Sequence, residues 1–390
     1  MSVIGIIAEY NPFHNGHKYQ IDSVKKSQDD TVVVVMSGNY VQRGDLAIFS
    51  KWTRAKSAVL NGADVVIEMP SAFANSCAEN FAKCGAYLLD SLGCVDKICF
   101  GSETDDLDAL KKLADACESI DASEQMKTAL KSGVSFPKAR QTALSQIVGN
   151  DIASLLEKPN ATLGVEYLKA LKYFGSDIEP MVIKRKAIEH DSSDAHDGFA
   201  SASYIRELIL SGQIEKVKEF VPQSAFEVYE NAEIHSIQHL ETAVLYKLRT
   251  MTLKDYQNCP DVSEGLENRL KACAESATSI DEFLNSVKTK RYTMARIKRI
   301  LISALLGYTA EDVATMPNYS RVLAVSEKGV KLLNKCKKSA KIKVSTSIKR
   351  LLDENDSLLN KEIVSTDLYN LAMENPKKAG QEYIEKTFVK

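Results

Sequence analysis

Short runs of apolar, β-branched residues alternate with amphipathic segments along the first hundred residues. Runs such as TVVVVM and DVVIEM are apolar throughout, which is typical of strands buried on both faces of a parallel sheet. The pattern predicts strands at Val3–Ala8, Thr31–Met36, Asp64–Glu68 and Lys97–Phe100. It predicts helices at His17–Lys26, Ser50–Asn61 and Cys77–Leu92. This alternation indicates an α/β fold with a Rossmann-like, doubly wound parallel sheet, whose ligands bind beyond the carboxyl ends of the strands.

The remainder of the chain changes character after about residue 215. Residues 103–130 and 136–172 have helical patterns, and EPMVIKR at 179–185 is predicted to return as a strand of the same sheet. We therefore predict two domains, 1–215 and 216–390. The second is predicted to be mainly helical, with periodic segments at 233–253, 263–275 and 280–307.

Charge is segregated along the chain. The 390 residues carry a net charge of only −2, and the hydrophobic content of 44% is ordinary for a globular protein. From Asp281 to Arg350, however, 16 Lys/Arg face 5 Asp/Glu, a net charge of +11. Basic helical segments suit a nucleic-acid phosphate backbone. A solvated helix face is the default explanation of one such run, but two runs, at 288–300 and 331–350, favour RNA binding.

Membrane, secretion and metal signals are weak. No apolar run approaches the length of a membrane helix, and the chain opens directly on a strand-like segment, so we expect no membrane association and no signal peptide. None of the eight cysteines forms a CxxC pair, and most lie in apolar or helical context, as reduced buried thiols do. We predict a cytoplasmic protein without a metal site. The pattern makes no prediction of oligomeric state.

The turn between the first strand and the first helix, EYNPFHNGH, is unusually rich in polar and special residues. A helix N-terminus presents unpaired N–H groups to an anion, and Gly16 permits close approach of a phosphate. His14 and His17 are spaced to lie on one side of the first turn and to stabilise a phosphoryl group. The alternative is a polar helix cap without chemistry. Zinc is less favoured, because no third ligand is evident nearby.

A second polar turn, SASYIR at 201–206, opens another predicted helix. Ser201 and Ser203 are candidates to cap that helix while bonding phosphate, and Arg206 offers a two-pronged donor. An ordinary N-cap followed by a surface arginine explains this segment about as well on its own. Two such motifs in order on one sheet are more specific than either alone.

These motifs are similar to those of a known superfamily. FHNGH after the first strand resembles the HxGH signature of nucleotidylyltransferases, and SASYIR resembles their second motif. Longer blocks, IIAEYNPFHNGHKYQ, MSGNYVQRGDLAIFSKWTRAKSAVLNGADVVIEMP, FGSE and KRYTMARIKRILI, resemble the tRNA(Met) cytidine acetate ligase family over nearly the full chain.

The resemblance implies a ligase reaction. Acetate attacks the α-phosphate of ATP to give acetyl-adenylate and pyrophosphate, and the acetyl group passes to N4 of the wobble cytidine of elongator tRNA(Met). ATP is then a substrate, and Mg²⁺ is expected from phosphate chemistry. One alternative is a small-molecule adenylyltransferase of the same superfamily, which would not need the basic segment. Another is a non-catalytic RNA-binding protein that keeps ATP as a ligand.

The resemblance also implies a set of site residues. His14 and His17 are the implied catalytic residues. The implied ATP contacts are Ile7, Ala8, Glu9, Tyr10, Asn11, Pro12, Phe13, His14, Asn15, Gly16, His17, Lys18, Tyr19, Gln20, Gly101, Asn160, Arg185, Ser201, Ser203 and Arg206. The basic segment supplies the predicted tRNA contacts Lys290, Arg291, Arg296, Lys298 and Arg299. Arg43 and Lys51 are loop candidates that either lie near substrate or are solvated, and His190 and His196 are left unassigned.

Overall fold

The computed structural model describes residues 2–121, 123–131, 134, 136–185, 198–263, 265–352 and 357–390. His190 and His196 lie outside these residues. The strands are β1 Val3–Ala8, β2 Thr31–Ser37, β3 Tyr40–Val41, β4 Asp45–Leu46, β5 Val65–Met69, β6 Lys97–Ser102, β7 Glu179–Lys184, β8 Tyr319–Val325, β9 Lys343–Ser345 and β10 Phe388–Val389. The five strands that the sequence predicts are all present, with bounds that differ from the prediction by at most two residues.

The helices follow the predicted alternation in the first hundred residues and then dominate the chain. They are α1 Asn15–Val24, α2 Lys51–Leu60, α3 Ser71–Ala74, α4 Ala78–Ser91, α5 Leu107–Asp121, α6 Glu124–Lys131, α7 Phe136–Val148, α8 Asn150–Ala153, α9 Pro159–Phe174, α10 Ala202–Leu210, α11 Gln223–Tyr229, α12 Glu241–Thr250, α13 Leu253–Asn258, α14 Leu266–Ser276, α15 Ile280–Val287, α16 Met294–Leu306, α17 Glu327–Cys336, α18 Ile348–Leu352, α19 Ser357–Tyr369 and α20 Gln381–Ile384. Short 3₁₀ helices occupy Ser154–Glu157, Ile214–Glu219, Ile237–Leu240 and Ala310–Val313.

The main sheet has the strand order β10-β8-β5-β2-β1-β6-β7, with β9 also paired to β8. Strands β5, β2, β1, β6 and β7 are mutually parallel, whereas β8 runs antiparallel to β5. The predicted parallel, doubly wound α/β sheet is therefore confirmed for its centre. The complete sheet is mixed, because β8 joins it from the other direction.

Alternating side chains of the central strands enter two hydrophobic cores, one on each face of the sheet. Val33 and Val35 of β2 pack in the core that contains α4 and α9, whereas Val32 and Val34 pack in the core that contains α1 and α2. This alternation follows from the two-residue period of a strand. It explains why β2 is apolar at nearly every position.

The C-terminal segment is mainly helical, as predicted, but it also returns to the sheet through β8, β9 and β10. Side chains of α15 and α16, such as Phe283 and Ile297, share one hydrophobic cluster with Val35 and Ile67 of the sheet. The division into units of 1–215 and 216–390 stays a prediction. Among the described residues, no helix is long and apolar enough to cross a membrane.

One disulfide departs from the expectation of reduced thiols. Cys94 and Cys336 are bonded, with their Cα atoms 5.9 Å apart. The bond joins the segment that follows α4 to the last residue of α17, across a sequence separation of 242 residues. Such a pairing depends on tertiary contact between distant segments, so the cysteine spacing did not predict it. The other described cysteines are not in disulfides, and Cys84, Cys99 and Cys117 are buried as predicted.

Candidate functional site

The HxGH turn lies at the centre of the sheet, where β1 ends between β2 and β6. Arg54, a fully buried residue of α2, fixes this edge by donating hydrogen bonds to the carbonyls of Glu9 at 2.6 Å and Ser37 at 3.1 Å. It also donates to the carbonyls of Gly38 and Phe49. One guanidinium thus satisfies the carbonyls that follow two parallel strands, and it holds the turn in place before any ligand binds.

The two histidines cap the first helix with their own side chains. His14 is the N-cap of α1, and its Nδ1 accepts a hydrogen bond from Gly16 N at 3.0 Å. Nδ1 of His17 accepts from His14 N at 3.2 Å. Because both Nδ1 atoms are acceptors, each neutral ring carries its proton on Nε2. The turn therefore places two imidazole rings, each with its proton on Nε2, beside a helix N-terminus, which is an arrangement suited to an anion.

The environment keeps His17 neutral. Burial lowers the pKa of His17 well below its ordinary value, and two neighbours lower it further: His14, whose protonated form would repel a second imidazolium, and the cation of Arg185. Its ring stacks on that of His14 with centroids 3.8 Å apart, and it meets the ring of Tyr10 edge-on at 4.6 Å. Within the described part of the chain, no hydrogen-bond partner engages Nε2 of His17. His17 is thus a positioned, uncharged donor.

Gly16 is required by the histidine ring itself. A Cβ atom at this position would lie 2.9 Å from Cε1 and 3.1 Å from Nδ1 of His14. The absence of a side chain lets the His14 imidazole fold back over the first turn of α1. Gly16 was predicted to permit close approach of a phosphate, and the structure adds this intramolecular reason.

The turn is held in place by hydrogen bonds of three predicted ATP contacts, Asn11, Asn15 and Arg206. Asn11 Oδ1 accepts from Ile48 N at 2.8 Å, and the carbonyl of Asn11 accepts from Arg206 Nη1 at 2.8 Å. Asn15 Nδ2 donates to the carbonyl of Gly198 at 2.7 Å. These contacts tie the turn to the loop before α2 and to α10. The two sequence motifs are therefore joined directly, through Arg206.

Tyr229, at the end of α11, contacts the turn from the protein interior. Its hydroxyl accepts a hydrogen bond from Phe13 N at 3.0 Å, and its ring stacks on Phe49 at 4.6 Å. Tyr10 and Phe13 are fully buried and contact the His17 ring. Both side chains therefore support the position of the His17 ring.

A second half of the site is built at the carboxyl ends of β6 and β7. Arg185 follows β7, and a Cβ on Gly101 would lie 3.2 Å from its Cγ. Arg185 Nη1 donates to Asn160 Oδ1 at 3.2 Å. Burial lowers the pKa of Arg185, and the carboxylate of Glu103 acts in the opposite direction. Gly101, Asn160 and Arg185, which are distant in sequence, are thus brought together.

Glu103, which was not among the predicted site residues, organises this group. Its Oε1 accepts from Asn160 Nδ2 at 2.8 Å, and its Oε2 accepts from Ala161 N at 2.9 Å, at the start of α9. Burial raises the pKa of Glu103, but the hydrogen bonds from Asn160 and Ala161 outweigh burial, so the net shift is downward. Glu103 is the last residue of FGSE, so it lies inside one of the motifs that carry the family resemblance. Arg54 likewise lies inside the quoted block that starts MSGNYVQRGD, whereas Tyr229 lies outside every block quoted for the resemblance.

The HxGH turn and the group around Arg185 line the same cleft, which we call the histidine cleft. Its lining residues are His14, Gly16, His17, Tyr19, Gln20, Gly101, Ile183, Lys184, Arg185 and Phe199. Ile183, Lys184 and Phe199 were not predicted. Gln20 also donates to the carbonyl of Cys99 at 3.4 Å, and Lys18 pairs with Asp22 along α1.

The remaining predicted ATP contacts lie around the cleft rather than in its lining. Ile7 and Ala8 are strand residues of β1, Pro12 is buried, and Glu9 Oε1 accepts from Gln42 N at 2.9 Å. Ser201 caps α10 by accepting from Tyr204 N at 3.1 Å, as the motif predicted. The hydroxyls of Ser201 and Ser203 are 3.0 Å apart.

The predicted tRNA contacts lie before and within the first half of α16, and most of them contact other residues of the protein. Arg299 forms an ion pair with Asp261 at 2.7 Å. Arg296 Nε donates to the carbonyl of Asp261 at 2.9 Å. Lys298 is 3.8 Å from Asp45, and Lys290 is exposed. Arg291 lies with its guanidinium 5.9 Å from the Tyr292 ring centre.

Lys51 is not solvated, contrary to one of the two alternatives considered from the sequence, and it is not among the lining residues of the histidine cleft. It is fully buried and bonds the carboxylates of Glu68 and Glu382, with Glu362 at 3.7 Å. Arg321 of β8 pairs with Glu382 in the same cluster. The partners lie up to 331 residues away, which is why the local pattern suggested an exposed loop lysine.

The fold and the histidine pair at the end of β1 define a nucleotidyl transferase, and the family model for HIGH nucleotidyl transferases matches residues 1–383. A tRNA(Met) cytidine acetate ligase of Thermoanaerobacter sp. (strain X514) is 40% identical over 98% of each chain, and that of Acetivibrio thermocellus is 36% identical over the whole of both chains. The chain belongs to the tRNA(Met) cytidine acetate ligase family.

Solved structures agree with this assignment over the full length. The crystal structure of apo Thermotoga maritima TmcAL has a TM-score of 0.93 and 31% identity, and both chains are covered completely. The same protein bound with alpha-thio ATP has a TM-score of 0.90.

Proposed function

We propose that this protein is an ATP-dependent ligase that acetylates N4 of the wobble cytidine of elongator tRNA(Met). A carboxylate oxygen of acetate attacks the α-phosphorus of ATP, and the bond from that phosphorus to the bridging oxygen breaks. Pyrophosphate leaves, and the product is acetyl-adenylate, a mixed anhydride. The cytidine amine then attacks the acetyl carbonyl carbon, AMP departs, and the amine loses a proton.

The observation that carries this proposal is the stacked pair of His14 and His17 rings, which line the histidine cleft at the N-terminus of α1. In-line displacement at phosphorus depends mainly on positioning and on stabilising charge on the phosphoryl oxygens. Acetate is already an anion, so the first step needs no general base. Two neutral donors with a helix dipole supply stabilisation without a proton transfer.

Arg185 and Gly101 complete the proposed ATP site in the lining of the cleft, and Asn160 contacts Arg185. Arg185 is a permanent cation directed along the bare backbone of Gly101. An arginine in this position suits the phosphates, and the amide of Asn160 orients it. The alpha-thio ATP complex of Thermotoga maritima TmcAL supports an ATP site in this fold.

Mg²⁺ belongs to the same proposal as a companion of the ATP phosphates. Within the described ranges, no group of three or more His, Cys, Asp or Glu side chains is placed to hold a metal. The ion would therefore be held by phosphate oxygens and water, as Mg²⁺ often is. We place the reaction in the cytoplasm, where tRNA and ATP are both present.

The anticodon end of the tRNA is proposed to approach the carboxyl edge of the sheet. The start of α16 lies at this edge, because Asn75, which follows α3, donates to the carbonyl of Arg299 at 3.0 Å. Lys290, Arg291 and Lys298 are the proposed phosphate contacts. Arg296 and Arg299 hold the loop around Asp261, so in this proposal they shape the surface as much as they contact RNA.

Acetate-dependent exchange of labelled pyrophosphate into ATP, without tRNA, tests the first half of the reaction. We expect exchange with acetate and none when acetate is omitted, because acetyl-adenylate forms reversibly in the cleft. Exchange that requires a nucleotide or sugar phosphate instead of acetate would contradict the proposal. That result would indicate a small-molecule adenylyltransferase.

Glu103→Ala should raise the KM for ATP by about tenfold, with a smaller change in kcat, because Asn160 and Arg185 lose their orientation without losing their own side chains. Glu103→Gln keeps an acceptor oxygen for Asn160 and should recover part of the loss. The measurement is the exchange rate as a function of ATP concentration. An equal fall of kcat in both variants, with unchanged KM, would contradict this positioning role.

A further inference from the structure

Helix α17 carries a stripe of lysines on its exposed side. Lys328, Lys331, Lys335 and Lys338 follow one another at spacings of three and four residues, which places them on one face of the helix and its final turn. All four are exposed, whereas Gly329, Leu332 and Cys336 on the other side are buried. With the exposed neighbour Lys337, these residues form a surface that we call the lysine face.

The lysine face has almost no internal charge compensation. Glu327 is the only acidic residue of α17, at its first turn. Across the described ranges, Lys331, Lys335, Lys337 and Lys338 have no ion-pair partner. Lys328 donates to the carbonyl of Gln28. Several adjacent cations without counter-charges repel one another, so an anionic partner that covers them is favoured.

The lysine face lies at the amino edge of the sheet. Ser326, just before α17, donates to the carbonyl of Asp64 at 2.8 Å, and Asp64 precedes β5. At its other end, α17 is bonded through Cys336 to Cys94, which precedes β6, and Lys341 N donates to the carbonyl of Ser91 at 2.8 Å. Since β5 and β6 are parallel strands of one sheet, both ends of α17 lie at the edge where those strands begin.

The histidine cleft and the start of α16 lie at the opposite edge. His14 follows β1, Gly101 closes β6, and Arg299 contacts Asn75 beyond β5. A strand of six residues spans roughly 20 Å. The two basic regions of the chain are therefore separated by about the full height of the sheet. One short RNA loop at the histidine cleft does not reach both.

We infer that the lysine face is a second tRNA-binding surface, which contacts phosphates of the tRNA outside its anticodon arm. This inference rests on the proposed function, which puts the anticodon loop at the carboxyl edge. A regular row of uncompensated lysines is complementary to a sugar–phosphate backbone and carries no base readout. The lysine face thus contributes affinity and orientation, while discrimination of the anticodon belongs to the other edge.

The test is the double variant Lys335→Glu/Lys338→Glu in the full chain. Its matched control is Lys111→Glu/Lys112→Glu on α5, which makes the same charge change at two exposed lysines of an acidic helix. The probes are an unmodified full-length elongator tRNA(Met) transcript and a hairpin with only its anticodon arm. Binding is measured over a range of salt concentrations, and acetate-dependent pyrophosphate exchange is measured without RNA.

For the lysine-face variant, we expect full-length tRNA to bind about tenfold more weakly or worse, with the salt slope reduced by about 2. Hairpin binding and pyrophosphate exchange should match the wild type. The control should leave all three unchanged. Equal losses in both variants, or an equal loss for the hairpin, would overturn the inference.

Unchanged tRNA binding with lost binding to phosphatidylserine vesicles would also overturn the inference, because the face would then serve an anionic membrane surface. Failure of the proposed ligase function would give a result different from failure of the lysine-face inference. The wild type would show no acetate-dependent exchange, whereas the RNA affinities of the two variants would still be compared directly.

Discussion

Replacing His17 by alanine should reduce acetyl-adenylate formation by about 10²–10³-fold, because one positioned donor to the developing charge at phosphorus is lost. The ring of His17 also caps α1 and stacks on His14, so its removal loosens the second histidine. The measurement is acetate-dependent pyrophosphate exchange under saturating ATP. Binding of tRNA should be retained, since the predicted RNA contacts lie on α16 and the segment before it.

A matched control is His239→Ala, which removes an exposed imidazole outside the histidine cleft. We expect wild-type exchange from this variant. His17→Asn tests the chemistry of the donor, because its amide can still donate a hydrogen bond and should recover part of the activity. Full turnover by His17→Ala, with His239→Ala as active as wild type, would remove His17 from the mechanism.

The pH dependence of the same step follows from the environment of His17. Burial holds the pKa of His17 well below 6.5, so the ring is neutral throughout the neutral pH range. Lowering the pH from 8 to 6.5 should therefore not change the contribution of His17 to the rate. A rate that rises as an imidazole becomes protonated within that range would indicate that a cationic histidine carries the chemistry.

Replacing Lys51 by methionine should lower the free energy of unfolding by about 3–5 kcal/mol. The substitution leaves Glu68, Glu362 and Glu382 buried together with Arg321 as the remaining cation of the cluster. Removing one partner of a buried ion pair is costly because the other charge stays desolvated. The measurement is urea denaturation followed by circular dichroism.

The control for this prediction is Lys56→Met, one turn further along α2. Lys56 is exposed, with its Nζ 5.5 Å from the centre of the Phe388 ring, and we expect its replacement to cost less than about 1 kcal/mol. Equal destabilisation by the two variants would contradict the role assigned to the buried cluster.

The cost of Lys51→Met should also depend on pH. Burial, with Glu68 nearby, raises the pKa of Glu362 to about 7 even when Lys51 is present. A carboxyl with a raised pKa in the folded state is tolerated when protonated and becomes unfavourable as the pH rises. The destabilisation should therefore be smaller at pH 5 than at pH 8.

The sequence pattern predicted those features of the fold that depend on residues close to one another in the chain. The bounds of β1 follow from VIGIIA flanked by polar residues, and they are reproduced without error. The Ser201 cap of α10 is also set by residues within one turn. These features depend on neighbours in sequence, so periodicity and capping preferences are sufficient to find them.

Features that depend on distant partners were not predictable in this way. Strand β8 joins β5 across about 250 residues, and a lone apolar run in a helical region gives no sign of its partner. The burial of Lys51 depends on Glu382 of α20. Arg54 satisfies carbonyls of two different strand ends, and no spacing in the sequence marks that contact.

The candidate site also combines residues that are close in sequence with residues that are distant in sequence. The HxGH turn supplied His14, Gly16 and His17 from one segment, and the structure places them on one wall of the histidine cleft. Gly101, Asn160 and Arg185 were grouped only because a family resemblance implied them. The structure joins these three residues through Glu103 and Asn160. That connection required the parallel arrangement of β6 and β7.

The measurement that tests the central claim most directly is transfer of labelled acetate to full-length elongator tRNA(Met), with ATP present or omitted, followed by nucleoside analysis. We expect label in N4-acetylcytidine, only when ATP is present and only in that tRNA. If active enzyme and unmodified tRNA give no labelled nucleoside, while acetate-independent adenylyl transfer to a small molecule is found, the ligase account is contradicted.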